Sequence, residues 1–186
     1  MKTPNSETNH NEKSRIAKKP RKKSVWDDLL LLGLKITTIL LMFVLLTTFL
    51  FGIVRHQDSS MTPAIGDGDL LIFYRYNRKN YRPQDVIALR YEGKTQIRRV
   101  IATAGDVVDI TEDGLMINGA LQQESGISQK TKRYQEGVNF PLTVSEGEVF
   151  MLGDNRTNAT DSRIYGTVET KNTLGKVMTV IRRQNI

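Results

Sequence analysis

Apolar residues along this chain fall into two arrangements that predict two kinds of structure. Residues 29–54 form one long apolar segment, and its uncharged part, from Ile36 to Val54, approaches the roughly 20 residues that a helix needs to cross a bilayer. Lys35 lies near the basic end, where its stem can follow the helix while its ammonium group reaches the membrane surface. The segment is longer than the apolar core of a secretory signal peptide, and no small-residue cleavage site closes it. We therefore predict an uncleaved transmembrane helix over residues 29–54.

Beyond this segment, short runs of β-branched and aromatic residues alternate with turn residues. Glu112-Asp113-Gly114 and Asn118-Gly119 supply turns that predict a hairpin between Val107 and Leu121. Residues 122–139 are polar without a clear period, which predicts a long irregular excursion. These features predict an all-β domain over residues 56–186, built as a single curved sheet or a barrel-like structure. The predicted strands are Leu70–Tyr74, Val86–Leu89, Val100–Ile101, Val107–Ile110, Val149–Leu152 and Val177–Ile181.

Much of the basic charge of the chain, whose net charge is +7, lies before the apolar segment. Residues 1–28 are polar and cannot bury enough apolar surface to fold, so we predict a disordered basic arm. An excess of Lys and Arg marks the cytoplasmic side of a span, which predicts a single-pass protein of the cell membrane with residues 56–186 outside the cell. A nucleic-acid-binding protein would carry such charge beside a folded reading surface. The position of the arm beside a span favours the topological role, so no nucleic acid is expected as a partner.

The sequence offers few residues for metal or triad chemistry. It contains no cysteine and two histidines. His10 falls on the predicted cytoplasmic side, and His56 lies too close to Ser60, at a domain boundary, to favour a Ser-His-Asp triad. We interpret His56 as an interfacial residue. No group of candidate ligands has metal-binding spacing and no glycine-rich phosphate loop opens a helix, so neither a metal nor another cofactor is expected.

Three short motifs follow the apolar segment in order. They are Ser60-Met61-Thr62-Pro63, then Arg98-Arg99-Val100-Ile101 with Gly105-Asp106, then Gly153-Asp154-Asn155-Arg156 with Asp161-Ser162-Arg163. Their order and spacing resemble the type I signal peptidases, which are Ser/Lys peptidases of the S26 type. The third motif is highly specific, whereas the first alone is weak. The resemblance covers the chain from Leu29 onward.

The resemblance implies a mechanism and a class of partner. In this family a serine attacks the scissile carbonyl, and a lysine kept neutral by burial accepts the proton. Ser60 matches the nucleophile position. The implied partners are signal-peptide-bearing or surface-protein precursors at the outer face of the cytoplasmic membrane. The third motif is expected to brace the site through turn hydrogen bonds and an Asp–Arg pair, using Asp154, Asn155, Arg156, Asp161, Ser162 and Arg163.

Three positions depart from the family pattern. Arg98 stands where the family has its lysine, and a guanidinium group is not deprotonated in proteins. Ala159 stands where a serine would hold the lysine, and Asp58 brings a carboxylate that would repel the developing oxyanion. Met61 is expected to line the site as an apolar contact at the membrane face. Lys94, on the same face of a regular strand as Arg98, would lie roughly 13 Å away, too far to replace the family lysine.

Two functions from different classes remain open. The departures favour a degenerate accessory member, a pseudoenzyme that keeps the peptide groove and binds extended segments by strand addition. Such relatives act as membrane chaperones in pilus assembly of Gram-positive bacteria. The alternative is an active signal peptidase I, a serine endopeptidase that uses Ser60 to process signal peptides during protein secretion.

A last expectation concerns the geometry of the site. Asp58 and Arg98 are predicted to form a salt bridge across the cleft, because burying either charge alone would be costly and Arg can bond a carboxylate bidentately. An alternative with equal support from the sequence is that Arg98 points outward and Asp58 remains a solvated loop residue.

Overall fold

The computed structural model describes residues 24–76, 78, 80–127 and 129–183. The chain divides into two compact units, with the boundary between Met42 and Phe43. The described part of the first unit is helical and belongs to α1 (Val25–Leu50), whose last two turns lie in the second unit. Most of the basic arm predicted over residues 1–28 falls outside the described residues.

α1 begins at Val25, ahead of the predicted start at residue 29, because Ser24 caps it. The Ser24 hydroxyl accepts a hydrogen bond from the Trp26 amide at 3.3 Å, and the Asp27 carboxylate accepts one from the Ser24 amide at 3.3 Å. α1 is long and apolar enough to be a candidate membrane span. Its threonine hydroxyls donate to carbonyls one turn earlier, which satisfies them inside an apolar helix: Thr37, Thr38, Thr47 and Thr48.

The described part of the second unit is mostly β-structure, which confirms the all-β prediction. Two short helices interrupt the strands, α2 (Ser162–Tyr165) and a 3-10 helix (Thr170–Asn172). The strands are β1 (Phe51–Arg55), β2 (Leu70–Tyr74), β3 (Val86–Tyr91), β4 (Lys94–Thr103), β5 (Val107–Thr111), β6 (Gly114–Ile117), β7 (Ala120–Leu121), β8 (Leu142–Thr143), β9 (Glu148–Leu152), β10 (Val168–Glu169) and β11 (Thr173–Ile181).

The C-terminal end of the predicted span is a strand rather than a helix. Residues 51–55 form β1 and pair antiparallel with β2. Gly52 lies against the ring of Phe73, where a Cβ would overlap with the aromatic atoms. Pairing with β2 and this close contact explain why α1 ends at Leu50 although the apolar sequence continues to Val54.

The strands form two antiparallel sheets that stay open. The larger sheet has the order β1-β2-β11-β3-β4-β9-β10, and the smaller sheet has the order β7-β6-β5-β8. Register shifts in β4 and β11 mark bulges, which bend these strands. Because β1 and β10 remain at the two edges of the larger sheet, the barrel-like closure considered from the sequence does not form.

The predicted hairpin is confirmed in β5, β6 and β7. β5 pairs with β6, and β6 pairs with β7. Asn118 and Gly119 have φ values of 52° and 80°, and a tight turn with two positive φ values favours these two residue types. This smaller sheet packs on a hydrophobic cluster that it shares with β9 of the larger sheet and that includes Val108, Ile110 and Phe150.

One strand of the larger sheet is only half covered. β4 pairs with β3 from Lys94 to Arg99, but its pairing with β9 begins only at Arg99. Among the described residues, no strand therefore pairs with the second edge of residues 94–98. This open edge lies beside the candidate site.

Candidate active-site groove

Ser60 lies in the loop between β1 and β2, and the loop after β9 braces it. Ser60 is buried, and its carbonyl accepts a hydrogen bond from the Asn155 amide at 2.9 Å. The Asn155 side chain donates to the Ser59 carbonyl at 3.2 Å. Gly153 passes so close that a Cβ there would lie 2.7 Å from the Ser60 carbonyl oxygen and would overlap with the Ala159 methyl group. The first and third motifs therefore form one packed unit.

The Ser60 hydroxyl lies between a carboxylate and a guanidinium group. It donates a short hydrogen bond to Asp58 Oδ1, and the Ser60 amide donates to the same oxygen at 2.8 Å. Arg98 Nη1 donates to Ser60 Oγ at 2.7 Å. One hydroxyl group thus joins the two charged side chains.

Arg98 is held firmly in this position. It is 1% exposed on β4, and its Nε and Nη2 both donate to the Thr160 carbonyl, at 3.0 and 2.8 Å. Its Nη1 also donates to the Ile97 carbonyl. A guanidinium group has donors and no acceptor, so Arg98 can stabilise an oxygen lone pair but cannot accept the serine proton.

The predicted salt bridge between Asp58 and Arg98 is wrong. The ion pairs of the described residues do not include it, because Ser60 Oγ lies between the two groups and Thr160 takes the guanidinium fork. The alternative is also wrong for Arg98, which is buried, whereas the Asp58 side chain is 48% exposed. The two residues thus share a hydroxyl partner instead of pairing directly.

His56 belongs to the site rather than to an interface, because it is buried beside Asp58. Its Nε2 lies 3.1 Å from Asp58 Oδ1, at an angle outside hydrogen-bond geometry. The pKa of the Asp58 carboxyl is well below its ordinary value, and the contact with the His56 ring is the largest cause. Partial burial raises this pKa, whereas the hydrogen bonds from Ser60 lower it further. In a catalytic triad the imidazole contacts the serine, but here the carboxylate does.

Buried ion pairs brace the loops around the groove. Asp161 accepts from Arg163 Nε and Nη2 at 2.9 and 2.8 Å, and both side chains are almost fully buried. Asp161 also accepts the Gly153 amide at 3.1 Å, which connects the pair to the loop after β9 that braces Ser60. Arg99 binds Asp154 bidentately at 2.7 and 2.6 Å.

The remaining residues of the third motif pack into the same framework. The Ser162 hydroxyl accepts from the Met151 amide at 2.9 Å. Arg156 is buried, donates to the Gly153 carbonyl at 2.9 Å and forms a close ion pair with Glu124. The residues expected to brace the site therefore lie in one hydrogen-bonded framework.

The sequence of this chain is similar to those of a known family of proteins. Residues 29–181 match the family described as signal peptidase, peptidase S26. The chain is 31% identical over 142 residues to a signal peptidase I of Bacillus licheniformis, and this match covers 70% of this chain and 76% of that protein. It is also 31% identical over 143 residues to signal peptidase I T of Bacillus subtilis strain 168, which covers 70% of this chain and 73% of that protein. The chain belongs to the signal peptidase family, peptidase S26.

A solved structure is also similar to this signal peptidase family member. It is a crystal structure of a signal peptidase I from Enterococcus faecalis V583, with 31% sequence identity and a TM-score of 0.44. The match covers 54% of this chain and 98% of that chain.

The groove of this signal peptidase family member has a volume of about 410 Å³ and a polar wall. Lys94, Gln96 and Arg98 alternate along β4 and therefore share the face that lines it. Asp58 and Ala159 line it as well. Met61 does not line it: the side chain is fully buried in the core with Leu71 and Phe73, which corrects the expectation of a contact at the membrane face.

Several residues of the groove were missed from the sequence. Gln96 could have been found from its alternation with Arg98, but Thr160 contributes only a carbonyl group, which any residue supplies. Tyr134 comes from the irregular excursion and donates to the Ala159 carbonyl at 3.0 Å. Within the described residues, no group of three or more His, Cys, Asp or Glu side chains could hold a metal ion.

Proposed function

We propose that this chain is a membrane-anchored accessory member of the signal peptidase family that binds precursor proteins without cleaving them. One contact carries the proposal: Arg98 Nη1 donates to Ser60 Oγ at 2.7 Å. In the family that this chain resembles, a lysine stands at the position of Arg98, and its neutral amine accepts the serine proton. The guanidinium group stays protonated. It therefore stabilises the resting hydroxyl group of Ser60 but cannot act as the base that accepts its proton.

Two further residues support a non-catalytic site. Asp58 brings a negative charge next to the serine, where an oxyanion would develop, and like charges repel. Its lowered pKa keeps it ionised at neutral pH. Ala159, at the position of a supporting serine in the family, presents a methyl group packed near Gly153. Arg98 and Ala159 thus replace the proton acceptor and its supporting serine, and Asp58 disfavours the oxyanion.

The open edge of β4 supports peptide binding. Residues 94–98 have one edge without a strand partner among the described residues, and they lie along the groove. An extended peptide can add to such an edge through main-chain hydrogen bonds, which does not require chemistry at Ser60. We infer that the clients are signal-peptide-bearing or surface-protein precursors and that the role is chaperone-like, as in pilus assembly. The N-terminus would lie in the cytoplasm and the β domain outside the cell.

Photocrosslinking tests this proposal directly. A photoreactive amino acid in place of Lys94, at the groove, should crosslink to a full-length, uncleaved precursor in membranes. The same amino acid in place of Lys130, an exposed position that lines a different cavity, is the matched control and should give no such product. Equal crosslinking at both positions, or products that contain only processed precursor, would contradict the proposal.

A second candidate function is an active peptidase with a different proton acceptor. It is favoured by the hydrogen bond that the Ser60 hydroxyl donates to the Asp58 carboxylate. Against it, a carboxylate with a strongly lowered pKa is a weak general base at neutral pH. If Asp58 served as the base, Asp58→Asn would abolish a Ser60-dependent cleavage that the unmodified protein performs.

A further inference from the structure

A separate cavity of about 640 Å³ lies at the C-terminal end of α1. It shares no lining residue with the groove around Ser60. Phe49, Leu50 and Leu174 contribute apolar side chains to its lining, and Arg75 and Arg78 contribute guanidinium groups. The cavity therefore combines an apolar surface with basic groups.

The two arginines retain unused hydrogen-bond donors. Arg75 donates from Nε to the Phe51 carbonyl at 3.1 Å, and Arg78 donates from Nη1 to the Thr173 carbonyl at 3.1 Å. Among the described residues, neither arginine forms a salt bridge. A guanidinium group has five N–H donors and binds phosphate oxygens well. Both groups hydrogen-bond to carbonyl groups and not to carboxylates, so their positive charges are not neutralised. Two such groups at one cavity can therefore bind an anion.

Aromatic side chains surround the same end of α1. The rings of Phe51 and Tyr74 are 5.5 Å apart, and those of Tyr74 and Tyr76 are 6.4 Å apart. Tyr76 is 76% exposed and Phe49 is 78% exposed. Aromatic residues that expose an apolar ring at the end of a membrane helix are typical of the headgroup level of a bilayer.

We propose that this cavity binds one anionic phospholipid of the leaflet at the C-terminal end of α1. The phosphate group contacts Arg75 and Arg78, and the first part of an acyl chain contacts Phe49 and Leu174. A small soluble anion would use the arginines and leave the apolar surface empty, whereas a lipid satisfies both. The proposal rests on α1 crossing a membrane and is independent of the chemistry at Ser60.

Native mass spectrometry of the full-length protein tests this site. The protein is released from detergent micelles that contain dioleoylphosphatidylglycerol or dioleoylphosphatidylcholine, and the bound lipid is counted. Each basic residue near an anionic lipid is worth about fivefold in affinity, so Arg75→Gln with Arg78→Gln should weaken phosphatidylglycerol binding about 25-fold. The unmodified protein should retain phosphatidylglycerol in preference to phosphatidylcholine.

The matched control is Arg82→Gln with Arg90→Gln, which removes the same charge from two exposed arginines that do not line the cavity. It should bind phosphatidylglycerol like the unmodified protein, and so should Arg75→Lys with Arg78→Lys to within a few fold. Equal losses in the cavity and control variants would show general charge attraction and overturn the site. Equal retention of the two lipids by the unmodified protein would overturn it without any variant, as would equally tight binding of glycerol 3-phosphate.

Discussion

At the scale of single residues, Asp58 and Arg98 place opposite charges on two sides of the Ser60 hydroxyl. The serine donates to the carboxylate and accepts from the guanidinium group, so both its proton and a lone pair are engaged. A Ser/Lys site instead needs a hydrogen-bond acceptor beside the serine, namely a neutral amine that accepts the hydroxyl proton as the serine attacks. We propose that these two hydrogen bonds hold the serine in an unreactive state.

Restoring the family residues should restore chemistry. Arg98→Lys combined with Ala159→Ser and Asp58→Gly supplies an amine that can lose its proton, a side chain to hold it and space for the oxyanion. We expect detectable precursor cleavage from the triple variant and much less from any single change, because residues that act as a unit are strongly non-additive. Gel analysis of a radiolabelled precursor measures it, with the triple variant plus Ser60→Ala as control. A folded triple variant without activity would show that the groove itself has diverged.

The resemblance assigned Ser60 to the nucleophile position and Arg98 to the lysine position, and the structure brings these two side chains into hydrogen-bond contact. The motifs were enough to locate both positions, because the resemblance matches them one by one. The direct Asp58–Arg98 pair could not be judged from the sequence, because its competitors are the Thr160 carbonyl and the Ser60 hydroxyl. The place of His56 was missed for a similar reason: burial depends on how the loop folds back over Asp69, whose carbonyl accepts the His56 amide at 2.8 Å.

At the scale of elements, two parts of the chain position the Ser60 loop: the loop after β9, and the helix α2 that follows that loop. Asp161 caps α2 by accepting the Arg163 amide, pairs with the Arg163 guanidinium group and accepts the Gly153 amide. A single buried carboxylate therefore connects α2, the loop that precedes α2, and Gly153, which directly follows β9. Its loss should loosen all three.

Asp161→Asn should lower the free energy of unfolding by about 3–5 kcal/mol, because it leaves the buried Arg163 without its counter-charge. Urea denaturation of the full chain in detergent measures the change. Glu169→Gln is the matched control, since it removes a carboxylate from the exposed Glu169–Lys171 pair and should leave stability almost unchanged. Similar changes in the two variants would contradict the bracing role of Asp161.

The elements themselves were partly predictable. β2, β5 and β9 coincide with apolar or β-branched runs, and the Asn118-Gly119 turn follows from its residue types. β1 was missed because its sequence is as apolar as the helix before it, and only the pairing with β2 distinguishes them. α2 was missed because a helix of four residues has no periodicity to detect.

At the scale of the whole molecule, the chain joins a candidate membrane span to a β domain of the signal peptidase family. The positive charge before the span predicts that the domain lies outside the cell. That orientation would place the groove where secreted precursors emerge. It remains a prediction from the charge pattern of the sequence.

Protease accessibility tests the orientation. Protease added to intact protoplasts should degrade the domain that follows Arg55, whereas a cytoplasmic marker protein should stay intact until the cells are lysed. An epitope tag at the N-terminus should be protected under the same conditions. Full protection of the domain in intact protoplasts would contradict the proposed topology.

We propose that Ser60 does not act as a nucleophile in this protein. The most direct measurement compares cleavage of a secreted precursor by membranes that carry the unmodified chain or its Ser60→Ala variant, in cells lacking other signal peptidase activity. We predict equal background rates, because Arg98 cannot accept the serine proton. Cleavage by the unmodified chain that disappears in the Ser60→Ala variant would contradict the claim and establish an active peptidase.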